Sequence, residues 1–134
     1  MQSILLLSLL VGILLVVPSL VVEGGLLGGL EPAKVYDDGV VRAAHFAVVE
    51  LNKKSNALFA SKLTDIKSAK KQVVQGMRYY LSFVMSQTKC KLNNGLVLDL
   101  DSCDTDNKVK QLCTVIVSEF MGKSKLEEDS CKTA

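Results

Sequence analysis

Side chains perform chemistry as bases, nucleophiles or metal ligands, and the 134-residue sequence holds few residues of these kinds at useful spacings. It contains one histidine, His45, and four cysteines at Cys90, Cys103, Cys113 and Cys131. A Cys–His dyad needs a free thiol, and a structural zinc site is typically marked by a CxxC pair, which the sequence lacks. We therefore interpret His45 as a partly packed helical residue and expect no catalytic residue, no metal and no cofactor.

A cluster of aspartates raises the alternative of a calcium site, because hard cations favour oxygen ligands. The spacing of the cluster does not follow an EF-hand loop, which also ends in a glutamate. We favour a solvated acidic loop, and with no Gly-rich phosphate loop or Ser-centred elbow the sequence indicates binding rather than catalysis. The four residues are Asp99, Asp101, Asp104 and Asp106.

The amino terminus has the pattern of a secretory signal peptide. Residues 4–17 form a nearly continuous apolar run, and Pro18 follows it. No basic residue precedes the run, and with the next few apolar residues it could span a bilayer, so an uncleaved anchor is the alternative. Pro18 and the absence of a basic flank favour cleavage between residues 19 and 25. We expect a signal peptide over residues 1–25 and one secreted, extracellular domain over residues 26–134, with no membrane contact after cleavage.

Four cysteines behind a signal peptide imply two disulfides. The residues alone leave three pairings open, among them the neighbour pairing that would close two local loops. The formal net charge is +2, and no basic stripe with interleaved aromatic residues is present. We therefore do not expect nucleic acid among the partners.

A helix is predicted between an acidic start at Asp37-Asp38-Gly39 and an end near Ser55-Asn56. Apolar and small side chains recur at helical spacing in this stretch, and small residues would let the helix lie close against a sheet. The stripe consists of Val40, Ala44, Ala47, Val48 and Leu51.

The sequence after the helix indicates β-structure. An irregular strand is predicted over residues 57–74, and strict alternation of side chains begins at Met77. One face of this second strand is wholly apolar, which predicts that it is buried. The apolar face carries Met77, Tyr79, Leu81, Phe83 and Met85, and the other face carries Arg78, Tyr80, Ser82, Val84 and Ser86.

The last third of the sequence predicts two further strands. A disulfide-tethered connection over residues 90–106 leads to a strand over residues 108–120, and a short strand over residues 124–130 would bring Cys131 beside Cys113. A short strand near residues 33–36 is a further expectation. One helix packed on one face of an antiparallel sheet of four or five strands makes the fold class α+β.

Residues 72–76, with the sequence QVVQG, place two valines at a predicted bend, where Asn, Asp, Ser, Pro or Gly is usual. Gly76 would permit positive φ or close contact with another backbone. An apolar loop tip suits docking into a groove, whereas strand residues would pack inward. The residues alone leave both interpretations open.

The sequence resembles the secreted, two-disulfide (type 2) cystatins, which inhibit papain-like cysteine peptidases. Residues 72–76 match the QxVxG motif of that family, and Leu26-Leu27-Gly28-Gly29 resembles its N-terminal segment. Residues 43–56 are similar to its central helix, and the four late cysteines fit its two consecutive disulfides. The resemblance covers about residues 26–132, and it implies a helix wrapped by a four- to five-stranded antiparallel sheet.

The resemblance also implies a mechanism, which is reversible, tight binding in the active-site cleft of papain or of cathepsins of the L, S, B or H type. Leu26 and Leu27 would fill apolar subsites, with Gly28 as the hinge of this arm. A hairpin loop would lie across the catalytic cysteine of the peptidase, and a second hairpin would complete the wedge. The loop residues are Gln72, Val73, Val74, Gln75 and Gly76.

The second hairpin departs from the family pattern. Where cystatins usually carry Pro-Trp, this sequence has Met121-Gly122 after Phe120, and it contains no tryptophan. We expect Phe120 or Met121 to replace the missing anchor in part, because methionine adapts to irregular apolar surfaces. Inhibition would then be weaker or more selective. The alternative is a non-inhibitory or weakly inhibitory secreted protein of this fold that acts as a binding or defence factor.

Two further expectations come from the family. Some cystatins inhibit legumain through an asparagine in a Ser-Asn-Asp context, and here Asn56 lies in Ser-Asn-Ala. We favour an ordinary asparagine after a helix over a legumain-binding residue. The expected state is a monomer, with a strand-exchanged dimer as the alternative.

Overall fold

The computed structural model describes residues 28–93, 97 and 99–134. In this part of the chain one α-helix packs on a five-stranded sheet, in which all neighbouring strands are antiparallel and follow the order β1-β2-β3-β4-β5. The α+β class and the helix-on-sheet architecture predicted from the sequence are therefore confirmed. The elements are β1 (Glu31–Pro32), α1 (Asp38–Lys54), β2 (Phe59–Val74), β3 (Gly76–Lys91), a 3₁₀ turn (Leu100–Ser102), β4 (Thr105–Phe120) and β5 (Lys123–Thr133).

Helix α1 begins and ends where the sequence predicts. The side chain of Asp37 accepts a hydrogen bond from the backbone N–H of Gly39 at 3.0 Å, so it caps the helix. Lys53 and Lys54 lie in the last turn, where cations stabilise the negative end of the helix dipole. At the end of the helix, Ser55 donates its backbone N–H to the carbonyl of Asn52 at 3.1 Å.

The core lies between the small-residue stripe of α1 and the apolar face of the sheet. Alanine side chains let the helix axis come close to the strands, and Phe83 of β3 fills the space beneath them with no exposed surface. His45 lies outside this stripe and is exposed, beside Tyr36 and Leu63. The core residues from α1 are Val40, Ala43, Ala44, Ala47, Val48 and Leu51; those from the sheet include Ala69, Tyr79, Leu81, Phe83, Met85, Val115 and Val117.

Three strand predictions need correction in their bounds. The first strand is Glu31–Pro32 rather than residues 33–36, although Ala33 prolongs the contact by donating to the carbonyl of Ala69 at 3.0 Å. Strand β4 begins at Thr105 rather than residue 108. Strand β5 spans Lys123–Thr133 and is not short. As an edge strand its side chains are mostly exposed and charged, so its sequence shows no alternation from which its length could be read.

The predicted irregularity of β2 is present as three shifts of register against β3, near Ala60, Thr64 and Lys67. Bulges of this kind increase the local twist of a strand, and they lie where β2 passes the helix. Past the third shift, at Lys67, pairing is regular up to the end of the hairpin, where Val74 pairs with Gly76.

Each disulfide joins two cysteines that are consecutive in the order of cysteines along the chain. Cys90–Cys103 ties the end of β3 to the connection that follows it, and Cys113–Cys131 joins directly opposed positions of β4 and β5. All four cysteines of the chain are therefore oxidised. The consecutive pairing implied by the family resemblance is the one observed.

The acidic connection is organised by its own backbone and by Gln87. The Asp106 carboxylate accepts hydrogen bonds from the backbone N–H of Lys108 at 2.9 Å and from the Gln87 side chain at 2.6 Å, and these bonds lower the pKa of Asp106. Among the described residues, no three His, Cys, Asp or Glu side chains are grouped to hold a metal ion. Within the same residues, no helix has both the length and the apolar character needed to cross a membrane.

The β2–β3 and β4–β5 hairpins meet at Gly76. Its φ is +88°, and a Cβ atom at this position would collide with the backbone carbonyl of Glu119 in β4. Gly122 also has positive φ, at +75°, but a Cβ atom there would meet no atom within 4 Å. A side chain at either position would incur the conformational cost of positive φ, but only at Gly76 would it also collide with the backbone of β4.

We expect Gly76→Ala to lower the free energy of unfolding by about 2–4 kcal/mol, because it adds a backbone collision to the cost of positive φ. Gly122→Ala is the matched control and should cost only about 1–2 kcal/mol, since it bears the conformational term alone. Urea unfolding followed by circular dichroism measures both values. Equal losses in the two variants would contradict the close contact between the hairpins.

Candidate functional site

Three segments lie together at one end of the molecule. The N-terminal segment contacts the first hairpin, where Gly28 donates its backbone N–H to the carbonyl of Val73 at 3.0 Å. The first hairpin in turn lies against the second, through the contact of Gly76 with Glu119. The structure thus brings Gly28, residues 72–76 and residues 120–122 to one edge. Leu26 and Leu27 lie outside the described residues.

Gly28 is held at both of its backbone polar groups. Besides the bond from its N–H, its carbonyl accepts a hydrogen bond from Nε2 of Gln72 at 3.1 Å. A Cβ atom on Gly28 would come within 3.1 Å of both the Cβ and the carbonyl oxygen of Val73. A side chain at position 28 would therefore push the N-terminal segment away from β2.

The valines of the first hairpin belong to the end of β2 rather than to the core. Val73 pairs with Met77 and is 49% exposed, while Val74 pairs with Gly76 and is half-buried. Gln75 alone is left at the tip and is exposed. Backbone hydrogen bonds between β2 and β3 hold the loop in place, so the loop does not need to bury the Val73 side chain in the core.

The second hairpin turns through only two residues. Phe120 pairs with Lys123, and the residues between them have positive φ: +52° at Met121 and +75° at Gly122. Positive φ at both central positions is the requirement of a type I′ turn. Proline is locked near φ −65°, so a turn of this kind excludes proline at position 121. The shortened hairpin therefore accounts physically for the absence of the Pro-Trp pair.

Met121, at this turn, is the most exposed apolar side chain of the edge. Met121 is 83% exposed and Phe120 is 44% exposed. Methionine at positive φ is uncommon and costs conformational energy, a feature that recurs at functional sites. Together with Val73, these two side chains place exposed apolar surface at the ends of β2 and β4 and on the turn that follows β4.

An ion pair anchors the second hairpin to the helix. Arg42 of α1 contacts Glu119 with both Nε and Nη2, at 3.0 and 2.9 Å. The Glu119 side chain is only 15% exposed, and its hydrogen bond and charge raise the pKa of Arg42. Both residues line a hollow of about 520 Å³ beneath Met121.

The sequence analysis did not identify Arg42 or Glu119. They lie 77 positions apart, and no motif or periodicity links them. The only sequence signal for Glu119 is that it is an acidic residue just before the second turn. Because Arg42 and Glu119 pair with each other, the charge of each is balanced within the molecule.

Asn56 is not part of this edge. It is exposed and lies in the connection between α1 and β2, before the start of β2 at Phe59. The hairpin tip lies at the other end of β2, about 50 Å further along the strand. The backbone next to Asn56 is fixed locally, because Ala57 donates to the side chain of Ser55 at 2.9 Å. A ligand at Asn56 would therefore occupy a second, separate site.

Comparison with known proteins agrees with this architecture. The cystatin domain family matches residues 28–121. Cystatin-C of Bos taurus is 39% identical over 116 residues, which cover 82% of this chain and 76% of that protein. Cystatin-2 of Crotalus adamanteus is 35% identical over 112 residues, covering 79% of this chain and 80% of that protein.

Solved structures show the same fold. The crystal structure of dimeric human cystatin F superimposes with a TM-score of 0.73 at 27% identity, covering 80% of this chain and 88% of that one. The crystal structure of Al-CPI gives a TM-score of 0.65 at 30% identity and covers 80% of this chain and all of the other. With its central helix, its antiparallel sheet and its two consecutive disulfides, this chain belongs to the cystatin family of cysteine peptidase inhibitors, in the two-disulfide form.

Proposed function

We propose that the protein is a reversible, tight-binding inhibitor of papain-like cysteine peptidases and enters their active-site cleft with the edge formed by Gly28, residues 72–76 and residues 120–122. One observation carries the proposal: three chain segments, far apart in sequence, meet at one edge. Val73 and Phe120 are exposed there near the ends of paired strands, and Met121 is exposed on the two-residue turn after β4. An apolar, preformed wedge of this kind suits a deep groove.

Favourable binding free energy would come from burying these apolar side chains. Because the edge is already ordered, little conformational entropy would be lost on binding. Apolar area removed from water contributes roughly 25 cal/mol per Å² before the costs of association are counted. Leu26 and Leu27 would add an apolar arm ahead of the hinge at Gly28. The loop of residues 72–76 would cover the catalytic cysteine without offering a bond in a position to be cleaved.

The proposed inhibition is non-covalent for a chemical reason. None of the four cysteines is a free thiol, so a peptidase thiolate could bond to a cysteine of this chain only by attacking a disulfide sulfur and releasing the other sulfur as a thiolate. The disulfides are, however, remote from the edge. Cys113 lies eight positions before Met121 and Cys131 nine positions after Gly122, and Cys90–Cys103 lies at the opposite end of β3 from Gly76. Inhibition should therefore reverse on dilution.

We propose that the protein is secreted as a monomer after removal of residues 1–25, with cleavage between residues 19 and 25 and residues 26–134 as the mature domain. The two disulfides support export, because such bonds persist in oxidising compartments. No enzymatic activity, cofactor or nucleic-acid partner belongs to this proposal. Mass spectrometry of the protein secreted by a eukaryotic host would locate the new amino terminus.

The second candidate function is that of a secreted cystatin with weak or no inhibition, acting as a binding or defence factor. The observation in its favour is the two-residue turn at Met121-Gly122, which carries no tryptophan anchor.

Titration of papain and cathepsin L with the secreted protein separates the two candidates. We expect inhibition of papain or cathepsin L below micromolar excess, while trypsin, a serine peptidase, should be unaffected. Undiminished papain and cathepsin L activity at a micromolar excess of the secreted protein would favour the second candidate, a cystatin with weak or no inhibition.

Legumain belongs in the same panel because Asn56 would act at a separate site. We favour no legumain inhibition, since Asn56 lacks the following aspartate of the family context. Inhibition of legumain that is lost in Asn56→Ala, with papain inhibition retained, would assign this role to Asn56.

We expect Val73→Asp to weaken papain inhibition by about 2–4 kcal/mol, or roughly 30- to 900-fold, because a carboxylate would be buried in the cleft without a partner. The inhibition constant measured at steady state gives this value. Val109→Asp is the matched control, since Val109 is 44% exposed, similar to Val73 at 49%, but lies near the opposite end of β4. Equal effects of the two substitutions would contradict the assigned edge.

We expect Met121→Trp to tighten papain binding roughly tenfold, because an aromatic side chain buries more apolar area as an interface anchor. Met121→Gly is the opposite control, since glycine relieves the positive φ but removes the side chain, and it should weaken binding. Inhibition constants for both variants test the idea. No gain with tryptophan would count against loss of the anchor as the cause of any weak inhibition.

A further inference from the structure

A chain of hydrogen bonds crosses the sheet face opposite the helix and ends on the N-terminal segment. The hydroxyl of Tyr80 in β3 donates to Oε1 of Gln72 in β2 at 3.2 Å. Nε2 of Gln72 donates to the carbonyl oxygen of Gly28 at 3.1 Å. Tyr80 is half-buried and lies four residues from Gly76, so it is away from the tips of the edge.

The donors and acceptors of this chain allow one orientation of the Gln72 amide. A carbonyl oxygen can only accept, so Gly28 requires the amide nitrogen and leaves the amide oxygen facing Tyr80. That oxygen also can only accept, so Tyr80 must donate its single proton to it. Rotating the amide by half a turn would place two oxygens against each other at Gly28.

We infer that Tyr80 is a positioning residue for the N-terminal arm: its hydroxyl orients the Gln72 amide, which fixes the carbonyl of Gly28. The inference rests on the proposed function, in which Leu26 and Leu27 bind apolar subsites. Gly28 is also fixed at its N–H by Val73, so both backbone polar groups of the hinge residue are held before binding. Preordering lowers the entropy cost that the arm bears when it enters the cleft.

Four secreted proteins test the inference: the wild type, Tyr80→Phe, the double variant Leu26→Ala/Leu27→Ala, and the combination of all three changes. We expect Tyr80→Phe to weaken papain inhibition about three- to tenfold when the leucines are present, as for the loss of one hydrogen bond. With the alanines in place the same change should have little effect, because the arm no longer contributes. Tyr36→Phe removes a hydroxyl from a tyrosine that is 71% exposed and should change nothing.

A second measurement tests the positioning without a peptidase. Amide hydrogen exchange at Gly28, followed by NMR relative to the neighbouring Gly29, should become faster in Tyr80→Phe. The thermal midpoints of all four proteins show whether the substitution acts by general destabilisation instead.

The outcomes are separable. Equal loss of inhibition in both arm backgrounds, or no loss in either, would overturn the role of Tyr80 while leaving the proposed function intact. Absence of inhibition by the wild type would overturn the proposed function, and Gly28 exchange would then decide by itself whether Tyr80 positions the segment. Unchanged exchange at Gly28 would overturn the inference in every case.

Discussion

The arrangement of the edge depends on the contact between two backbones, where Gly76 of β3 lies against the carbonyl of Glu119 in β4. No residue with a Cβ atom fits there, so the first hairpin can reach this position only with glycine. The contact also sets the level of the second turn, because Met77 pairs with Glu119 immediately beside it. Two loops separated by more than 40 residues therefore end at the same height, which a shared binding surface needs.

One helix serves both the fold and the edge. Its alanine stripe packs on the sheet and brings the helix axis close to the strands. Arg42, on the rim of the same helix, reaches the sheet surface and holds Glu119 with two hydrogen bonds. Exposed ion pairs contribute little to stability, but a two-point contact between a guanidinium and a carboxylate fixes geometry. The value of this pair lies in the orientation of the second hairpin rather than in the free energy of unfolding.

The sequence predicts local structure well where one residue type has one physical role. Asp37 caps the helix, and alternation from Met77 identifies the buried face of β3, so both predictions are confirmed. Strand β5 was predicted too short because exposed, charged residues at a sheet edge need not alternate. The positive φ of Met121 and the pairing of Arg42 with Glu119 could not be predicted, since both arise from tertiary contacts between distant segments.

An inhibitor of peptidases is itself exposed to cleavage, and the most accessible bond of the second hairpin lies at the protruding Met121. A cut there would leave β4 and β5 as separate lengths of polypeptide. The bridge between Cys113 and Cys131 would still join the two lengths, and the ladder of backbone hydrogen bonds would keep them aligned. A nicked molecule would therefore not fall apart, and the strand ends would stay near their original places. The disulfide thus makes the fold tolerant of a cut in the second turn.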